Sequence, residues 1–175
     1  MTRYVGLAYC SKPTNFSFEQ SEEILRVSQR NNERDALTGA LIYDNNTYLQ
    51  WLEGGANEIR AAFARISRDP RHGKIKLLAV QELDDRWFPD WSMTAAVTQD
   101  QTLRGLKLVP HLSLSQFNPF DWSEEDVTYF MDALSDYLTK RPAPKSEPLK
   151  DDSVSPRVVG GNPLASLDRR LHRIL

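Results

Sequence analysis

Residues 36–54, ALTGALIYDNNTYLQWLEG, contain the feature that most restricts the fold of this chain. Two apolar runs flank Asp44-Asn45-Asn46, a pattern that predicts a β-hairpin with a tight turn. The second run, TYLQWLEG, is apolar on both sides of the strand and therefore favours a sheet that is covered on both faces. Gln50 is the exception in this run. Because burying a carboxamide without a partner costs about 1–3 kcal/mol, we expect Gln50 to hydrogen-bond to a ligand.

The segments around this hairpin complete one α+β unit. Apolar periodicities and turn residues predict further strands at residues 3–9, 74–82 and 91–97 and helices that begin at Ser17 and Glu58. The order of elements over residues 2–97 is β-α-β-β-α-β-β, which is a ferredoxin-like arrangement with one added strand. Right-handed crossovers place both helices on the same face of the sheet, so a groove can form between them.

The sequence after this unit has a different composition. Residues 98–140 are predicted to form a helical extension, in which Ser123 caps the longer helix. Five of the ten prolines fall in residues 142–163, so residues 141–163 are predicted to be a linker. Residues 164–175 recover an apolar helical stripe with arginines beside it, which predicts an amphipathic tail. We expect this tail either to fold in the groove of a partner or to pack on the same chain or on a second copy.

Composition and charge disfavour several classes of function. A net charge of −2 gives no electrostatic reason to expect direct binding to nucleic acid or to an anionic membrane. No apolar run approaches the roughly 18 residues that span a bilayer, and the N-terminal segment lacks the apolar core of a signal peptide, so we expect a cytoplasmic protein. The single cysteine, Cys10, excludes an intrachain disulfide, and three separated histidines disfavour a metal site.

Nucleophilic catalysis is poorly supported by the sequence. Cys10 has no histidine near it in sequence and is interpreted as a small buried residue at the end of a strand. Ferredoxin-like folds can host acyl-phosphate hydrolysis through an arginine and an asparagine. The stretch YCSKPTNFS after the first strand, however, contains no glycine for the phosphate loop of such an enzyme. A small acylphosphatase-like hydrolase is therefore an alternative hypothesis only.

A set of polar side chains is predicted to face the groove between the helices. Each has an ordinary structural explanation, such as a core tyrosine, a helix cap for adjacent asparagines, or a surface ion pair between Arg65 and Asp69 at i, i+4 spacing. Together they require a common reason, because amides, a phenol, a guanidinium and a carboxylate are predicted around one groove. The set is Tyr9, Ser28, Asn31, Asn32, Gln50, Arg65 and Asp69.

A planar heterocycle with alternating carbonyls and ring nitrogens would use all of these groups. The pyrimidine edge of a flavin offers two carbonyl acceptors, an N–H donor and the N5 acceptor. Amides and Arg65 can donate to the acceptors, and Asp69 can accept from the ring N–H. Ile24 and Ile66 can sandwich the plane of the ring. This pattern predicts a ligand in the groove and by itself names no function.

Four segments in order strongly resemble a known family: ILRVSQRNNERDALTGALIY, YLQWLEG, ISRDPRH and RWFPDWSM. The family is BLUF, the blue-light sensors that use a flavin, and the resemblance covers about residues 2–97. It implies FAD, with FMN or riboflavin as alternatives, held between the two helices. It implies that Tyr9 is the photoactive tyrosine and Gln50 the switching glutamine. The other implied roles are flavin binding by Asn32 principally and by Asn31, Arg65 and Asp69, and signal relay by Trp91 and Met93.

The resemblance implies a photoreceptor and not an enzyme. In the implied cycle, excited flavin takes an electron and a proton from Tyr9, Gln50 changes its hydrogen bonds, and the change passes through the last strand to the C-terminal helices. The implied partner is a separate effector protein, for example a cyclic-dinucleotide phosphodiesterase or a transcriptional regulator, and a homo-oligomer is expected. The alternative is a ferredoxin-like binding module without light chemistry.

Overall fold

The hairpin at residues 36–54 forms two adjacent strands of the sheet in the computed structural model. The structure describes residues 3–15, 17–44, 47–90, 94–97, 117–139 and 162–174. Its strands are β1 (Tyr4–Pro13), β2 (Thr38–Asp44), β3 (Thr47–Gly54), β4 (His72–Leu83) and β5 (Thr94–Val97). Its helices are α1 (Phe18–Arg34), α2 (Ala56–Ile66), α3 (Glu124–Thr139) and α4 (Pro163–Ile174), with a 3-10 turn at Pro119–Asp121. None of these helices is long and apolar enough to cross a lipid bilayer.

The described strands form one sheet in the order β4-β1-β3-β2-β5. β1 pairs antiparallel with both β3 and β4, and β2 pairs antiparallel with β3, whereas β5 runs parallel to β2. The predicted α+β, ferredoxin-like order with an added strand is therefore confirmed. Because β1 and β3 lie inside the sheet, each is hydrogen-bonded to a strand on either side.

Side chains alternate between two apolar layers on the two faces of the sheet. On β3, Tyr48 and Leu52 belong to the layer beneath α1, α2 and α4, whereas Leu49 and Trp51 belong to the layer beneath α3. α3 supplies an apolar stripe to its layer: Val127, Phe130, Met131, Leu134 and Leu138. The sheet is therefore covered on both faces, as the apolar pattern of β3 predicts.

β1 and β4 are longer than the sequence predicts. The pattern predicts that β1 ends before SKPTN, but the strand runs to Pro13, which pairs with His72 at the start of β4. Pro13 ends the strand, because proline has no N–H to donate to the ladder. The longer pairing carries Ser11 and His72 into the folded core beside Tyr9.

β4 contains one extra residue opposite β1. Ala8 pairs with Ala79 and the next residue, Tyr9, pairs with Leu77, so Leu78 has no partner on β1 and forms a β-bulge. The bulge interrupts the alternation of side chains along β4. It lies directly beside Tyr9.

α1 begins at the predicted cap and continues past the asparagines. Oγ of Ser17 accepts a hydrogen bond from the backbone N–H of Gln20 at 3.1 Å. The C-cap is Asp35, so Asn31 and Asn32 lie within the last turns of the helix. The interpretation of these asparagines as a helix cap is therefore wrong, because the helix continues beyond them.

α2 ends earlier than the sequence predicts. Its last residue is Ile66, and the backbone N–H of Asp69 donates to the carbonyl oxygen of Ile66 at 3.1 Å in the turn that follows. A proline makes the helical conformation unfavourable for the residue before it, and Asp69 precedes Pro70. Asp69 therefore reaches the groove from a turn and not from the helix, which corrects its predicted position.

A buried carboxylate joins the end of β3 to the segment after β4. Glu53 is 0% exposed and accepts hydrogen bonds from the backbone N–H groups of Trp87 and Phe88 at 3.0 and 2.7 Å. Nε1 of Trp51 and Oγ1 of Thr38 also donate to it, at 3.0 and 2.8 Å. These donors compensate for the desolvation of the carboxylate. The rings of Trp51 and Trp87 stack with their centres 4.8 Å apart.

The C-terminal helix packs against its own chain. Leu167 and Leu171 of α4 are buried in the apolar layer that α1 and α2 also cover. Arg60 of α2 donates two hydrogen bonds to the carboxylate of Asp168, at 2.6 and 3.0 Å. Residues 98–116 and 140 of the predicted helical extension and most of the predicted linker, residues 141–161, lie outside the described residues.

Ala36 adopts a φ of +53° directly after the C-cap of α1, in the left-handed region that favours glycine. The left-handed conformation costs a residue with a Cβ roughly 1–2 kcal/mol, part of which glycine loses again in backbone entropy. We therefore expect Ala36→Gly to raise the free energy of unfolding by roughly 0.5–1 kcal/mol in urea denaturation.

The matched control is Ala61→Gly on the exposed face of α2. It should lower the free energy of unfolding by roughly 1 kcal/mol, because the backbone there is helical. A loss of stability in Ala36→Gly would show that the left-handed conformation carries no cost at this position.

Candidate functional site

A groove between α1 and α2 opens above Tyr9 and Gln50. The enclosed volume between the helices is about 70 Å³, so in this structure the groove is narrower than the usual small-molecule site. Every side chain predicted to hold the ligand lines this groove: Tyr9, Ile24, Ser28, Asn31, Asn32, Gln50, Arg65, Ile66 and Asp69. Four residues that the sequence did not indicate complete the lining: Val27, Ala62, Arg71 and His72.

Tyr9 and Gln50 are joined at the floor of the groove. They are direct partners on β1 and β3, and the phenol of Tyr9 donates a hydrogen bond to Oε1 of Gln50. Tyr9 is fully buried and Gln50 is 2% exposed. The register of two inner strands therefore fixes the pair. With Oε1 accepting from Tyr9, Nε2 is the end of the amide that can donate.

Tyr9 is held as a neutral phenol among aromatic rings. The rings of Phe63 and His72 approach it edge-on, with centres 5.5 and 6.1 Å away. Burial, followed by the negative charge of Asp69, raises the pKa of Tyr9 far above its ordinary value. The phenol therefore keeps its proton and its role as hydrogen-bond donor to Gln50.

α1 presents a largely polar surface to the groove. Asn32 is 4% exposed, and Ser28 and Asn31 are half-buried beside it. Ile24 lies one turn before Ser28 and is the buried apolar residue of this face. Since residues at this spacing share one side of a helix, α1 brings an apolar contact, a hydroxyl and two amides to the same groove.

The charged residues at the rim have partners that the sequence pattern did not predict. The guanidinium of Arg65 donates to the carboxylate of Asp35 and so links α2 to the end of α1. Nε of Arg71 donates to the two oxygens of Asp69 at 2.9 and 3.0 Å. The interpretation of Arg65 and Asp69 as an i, i+4 ion pair is therefore wrong, because α2 ends before Asp69.

Asp69 remains ionised in this setting. Burial alone would raise the pKa of its carboxyl group, but the hydrogen bonds and the charge of Arg71 outweigh burial and lower the pKa. The backbone N–H of Arg71 also donates to Asp69, at 2.9 Å. Arg71 therefore belongs to the site. The sequence signal that could have identified it is its position two residues after Asp69, across Pro70.

His72 is a buried ring that the sequence pattern also missed. Its Nδ1 lies 2.8 Å from Oγ of Ser11, and its ring contacts Tyr9 and Tyr48 edge-on. Burial has the largest effect on its pKa and lowers it to about 4. The neutral ring is therefore the form that packs beside Tyr9. Ser11 and His72 are 61 positions apart, so no local pattern connects them.

The groove combines apolar walls with polar groups that can both donate and accept. Ile24 lies on the α1 side and Ile66 on the α2 side. The amides of Asn31, Asn32 and Gln50 line the same groove. This donor and acceptor set fits the edge of a flavin ring, and the two isoleucines fit its faces.

The predicted relay residues Trp91 and Met93 lie outside the described residues. The described part of β5, Thr94–Val97, pairs in parallel with β2. The role of these two side chains stays a prediction.

A family model described as "Sensors of blue-light using FAD" matches residues 4–94. The chain belongs to the BLUF family. The matched region runs from β1 to the first residue of β5 and contains every residue that lines the groove. α3 and α4 lie outside it. The resemblance found in four sequence segments is thereby confirmed.

Relatives and solved structures agree with the BLUF assignment. Photoactivated adenylate cyclase subunit beta of Euglena gracilis is 30% identical over 100 residues, which are 56% of this chain and 12% of that protein. The dark-state structure of BlrB, a BLUF protein, is 29% identical with a TM-score of 0.66, covering 79% of this chain and 99% of that chain. BlsA in its photo-activated state is 27% identical with a TM-score of 0.66, covering 75% and 94%. The chain thus spans only a small part of the cyclase subunit.

Membership of the BLUF family assigns this chain to flavin-based blue-light sensing and signal transduction. The matched residues contain the ferredoxin-like sheet and the groove, so the sensing unit and the candidate site coincide. The two helices α3 and α4 are additions to this unit, on opposite faces of its sheet.

His72 makes the stability of this BLUF chain depend on pH. The unfolded chain binds a proton at His72 near the ordinary pKa of 6.5, whereas the folded chain does so only near pH 4. Protonation between these values therefore favours the unfolded state. The contribution of His72 is complete above pH 6.5 and is lost as the pH falls towards about 4, up to about 3 kcal/mol.

We expect His72→Gln, which keeps an acceptor for Ser11, to weaken this pH dependence. The measurement is the free energy of unfolding in urea across the range from pH 6.5 to about 4. The matched control is His172→Gln on the exposed side of α4, which should keep the wild-type slope. Identical slopes for the two variants would exclude His72 as the titrating group.

Proposed function

We propose that this chain is a blue-light photoreceptor in which a flavin lies in the groove between α1 and α2 and Gln50 is the switch. The observation that carries the proposal is the hydrogen bond from Tyr9 to Gln50 at the floor of the groove. This bond connects Tyr9 with Gln50. Tyr9 can give up an electron and a proton, and the amide of Gln50 has one end that donates hydrogen bonds and one that accepts them. The family match to sensors that use FAD supports a flavin as the ligand that lies against Tyr9 and Gln50.

In this proposal the groove residues hold the flavin by shape and by hydrogen bonds. Ile24 and Ile66 contact the faces of the ring. Asn32 is the principal amide, with Asn31, Ser28 and Arg65 as further polar contacts along the groove. Asp69 accepts from the ring N–H, and Arg71 fixes the orientation of its carboxylate.

We propose FAD as the flavin. A second concavity adjoins the groove and shares Val27, Asp69 and Arg71 with it. Its lining contains Arg30 and Arg71 together with Glu19, Glu23 and Asp69, and Arg71 is ion-paired with Asp69 and Glu23, so it is not a cationic phosphate site. The choice of FAD therefore rests on the family match to sensors that use FAD.

Bound flavin supplies the absorption of blue light and, when excited, an acceptor for one electron. On the protein side, Tyr9 gives up an electron from its ring and passes its phenolic proton along the hydrogen bond to Gln50. The raised pKa of Tyr9 ensures that this proton is present beforehand. Both the electron and the proton return to Tyr9 at the end of the cycle. No substrate is consumed, so the proposed protein is a sensor and not an enzyme.

Gln50 retains the change after Tyr9 has recovered. Its amide is left rotated, or as its tautomer, so that the ends facing Tyr9 and the groove exchange their donor and acceptor roles. Both arrangements satisfy the buried amide, which is why they can have similar energies. A stronger hydrogen bond from Gln50 into the groove would move the absorption of a bound flavin to the red.

In this proposal the signal leaves through the opposite face of the sheet. Leu49 and Trp51 flank Gln50 on β3 and belong to the apolar layer beneath α3. A movement of β3 would therefore reach α3 directly, and Trp91 and Met93, which precede β5 in the sequence, would provide a second path. An effector whose affinity differs tenfold between dark and light requires a difference of only about 1.4 kcal/mol.

We propose that the effector is a separate protein, such as a cyclic-dinucleotide phosphodiesterase or a transcriptional regulator. We do not propose cyclase activity for this chain, because the match covers only 12% of the Euglena cyclase subunit. The match covers 99% of the solved BlrB chain and 79% of this chain. This coverage supports the proposal that the effector is a separate protein.

The first test is a light-induced change in the absorption spectrum. The purified protein with FAD should be yellow, and its absorption should move reversibly to the red under blue light. Gln50→Leu removes both ends of the amide at similar volume, so this variant should bind FAD and lose the shift. Absorption spectra before and after blue light measure both outcomes.

The matched control is Gln81→Leu on β4, a half-buried glutamine outside the groove lining, which should keep the shift. A normal shift in Gln50→Leu would leave Gln50 with a structural role only. A chain that takes up no flavin would end the proposal.

Tyr9→Phe should abolish the photocycle while the fold and the flavin remain. Phenylalanine keeps the ring contacts with Phe63 and His72 but has no proton to give and is a poorer electron donor. Tyr43→Phe, another buried tyrosine of the same apolar layer, is the matched control and should respond as wild type does. If Tyr9→Phe still gave the red shift, the electron donor would lie elsewhere, with Trp91 the first residue to test.

A further inference from the structure

The outer edge of β4 is covered by one residue from each of two helices on opposite faces of the sheet. Nη1 of Arg170, on α4, donates to the backbone oxygen of Leu78 at 3.2 Å. Glu124, at the start of α3, accepts from the backbone N–H of Val80 at 3.4 Å. Arg170 and Glu124 also form an ion pair at 3.4 Å. The pair therefore supplies the donor and the acceptor that a further strand would give to this edge.

Arg170 makes this contact at the bulge of β4. Leu78 is the extra residue of the bulge, and its neighbour Leu77 is the strand partner of Tyr9. Because the regular ladder is interrupted at a bulge, the orientation of the Leu78 carbonyl depends more on its outside partner. The placement of Leu77 against Tyr9 is therefore sensitive to Arg170.

α4 also enters the apolar layer that contains Tyr9. Leu167 is 0% exposed, and it shares this layer with Tyr9 and with Phe63, whose ring contacts Tyr9. The ion pair of Arg60 with Asp168 fastens α4 to α2 on the same face. The docked helix thus contacts both elements that flank Tyr9, namely β4 and α2.

We infer that Arg170 is a positioning residue for Tyr9, and that docking of α4 through the β4 bulge sets the rate at which the photocycle returns to the dark state. The inference rests on the proposed function of Tyr9 and Gln50. If docking of α4 stabilises one Tyr9–Gln50 arrangement over the other, that arrangement in turn shifts the docking equilibrium of α4 by the same factor, because equilibrium coupling between two sites is reciprocal. α4 is then an output element on the groove side of the sheet, separate from α3.

The size of α4 makes its docking adjustable. A helix of 12 residues is marginal in water on its own, so its helical form depends on the contacts of Leu167 and Leu171 with the sheet. Weakening these contacts presents the apolar stripe of α4 to an effector. A small change at the β4 bulge can therefore have a large effect on what the C-terminal segment exposes.

The rate of dark recovery after blue light tests the inference in the FAD-loaded full-length chain. Arg170→Ala should speed recovery by roughly threefold or more, because the carbonyl at the bulge loses its donor. Arg170→Lys keeps a donor and should restore most of the wild-type rate. The matched control is Arg173→Ala, an exposed arginine of the same helix, which should recover at the wild-type rate.

A second set of variants loosens α4 without touching β4. Arg60→Asp places like charges opposite each other at Asp168 and should also speed recovery. Adding Asp168→Arg restores opposite charges and should return the rate towards wild type. In the wild-type chain, backbone amides of α4 should exchange with deuterium faster under continuous blue light than in the dark.

Each failure can be assigned to one hypothesis. A wild-type chain that binds FAD but shows no red shift overturns the proposed function. If the wild-type chain shifts normally but Arg170→Ala and Arg173→Ala recover at the same rate, only the positioning role of Arg170 is overturned. Equal amide exchange of α4 in dark and light would likewise overturn the coupling. If Arg170→Ala does not fold, as circular dichroism would show, Arg170→Lys tests the positioning role in its place, and recovery of Arg60→Asp at the wild-type rate would overturn the role of α4 docking.

Discussion

The direct pairing of Tyr9 with Gln50 across β1 and β3 is the constraint on which the rest of the structure depends. Residues opposite each other in an antiparallel pair project to the same face, so the register alone brings the phenol and the amide into contact. A slip of one residue would turn one of the two towards α3. β4 pairs with β1 and β2 pairs with β3, and apolar layers cover both faces, so all of these contacts also hold the proposed donor and switch in register.

The two faces of the sheet have different physical characters, and this difference creates the site. The α3 face is closed by apolar packing around Trp51 and by the buried carboxylate of Glu53 with its hydrogen-bond donors. On the other face, α1 turns amides and a hydroxyl inward instead of a continuous apolar stripe, so a groove lies between it and α2. Charged pairs at its rim, with Arg65 bound to Asp35 and Asp69 bound to Arg71, fix side chains that would otherwise be free to turn towards solvent.

Two helices outside the matched family region contact strands at or beside Tyr9 and Gln50. α3 packs beneath Leu49 and Trp51, the immediate neighbours of Gln50 on β3. α4 binds the β4 bulge, whose neighbouring residue Leu77 pairs with Tyr9. The ion pair of Arg170 with Glu124 connects the two helices around the edge of the sheet. In the proposed function, a common sensing unit could be given different outputs, because the helices proposed to receive the change lie outside the matched region.

The sequence by itself determined the order of the elements, the hairpin and nine of the residues that line the groove, because alternation, capping and helical spacing act over a few positions. It placed Asp69 on the wrong element and missed Arg71 and His72, whose roles depend on where α2 ends and on a partner 61 positions away. Only the tertiary structure decided the bulge at Leu78 and the docking of α4. The pairing of Arg60 with Asp168 spans 108 positions, and charges this far apart along the chain meet only when the sheet between them has formed.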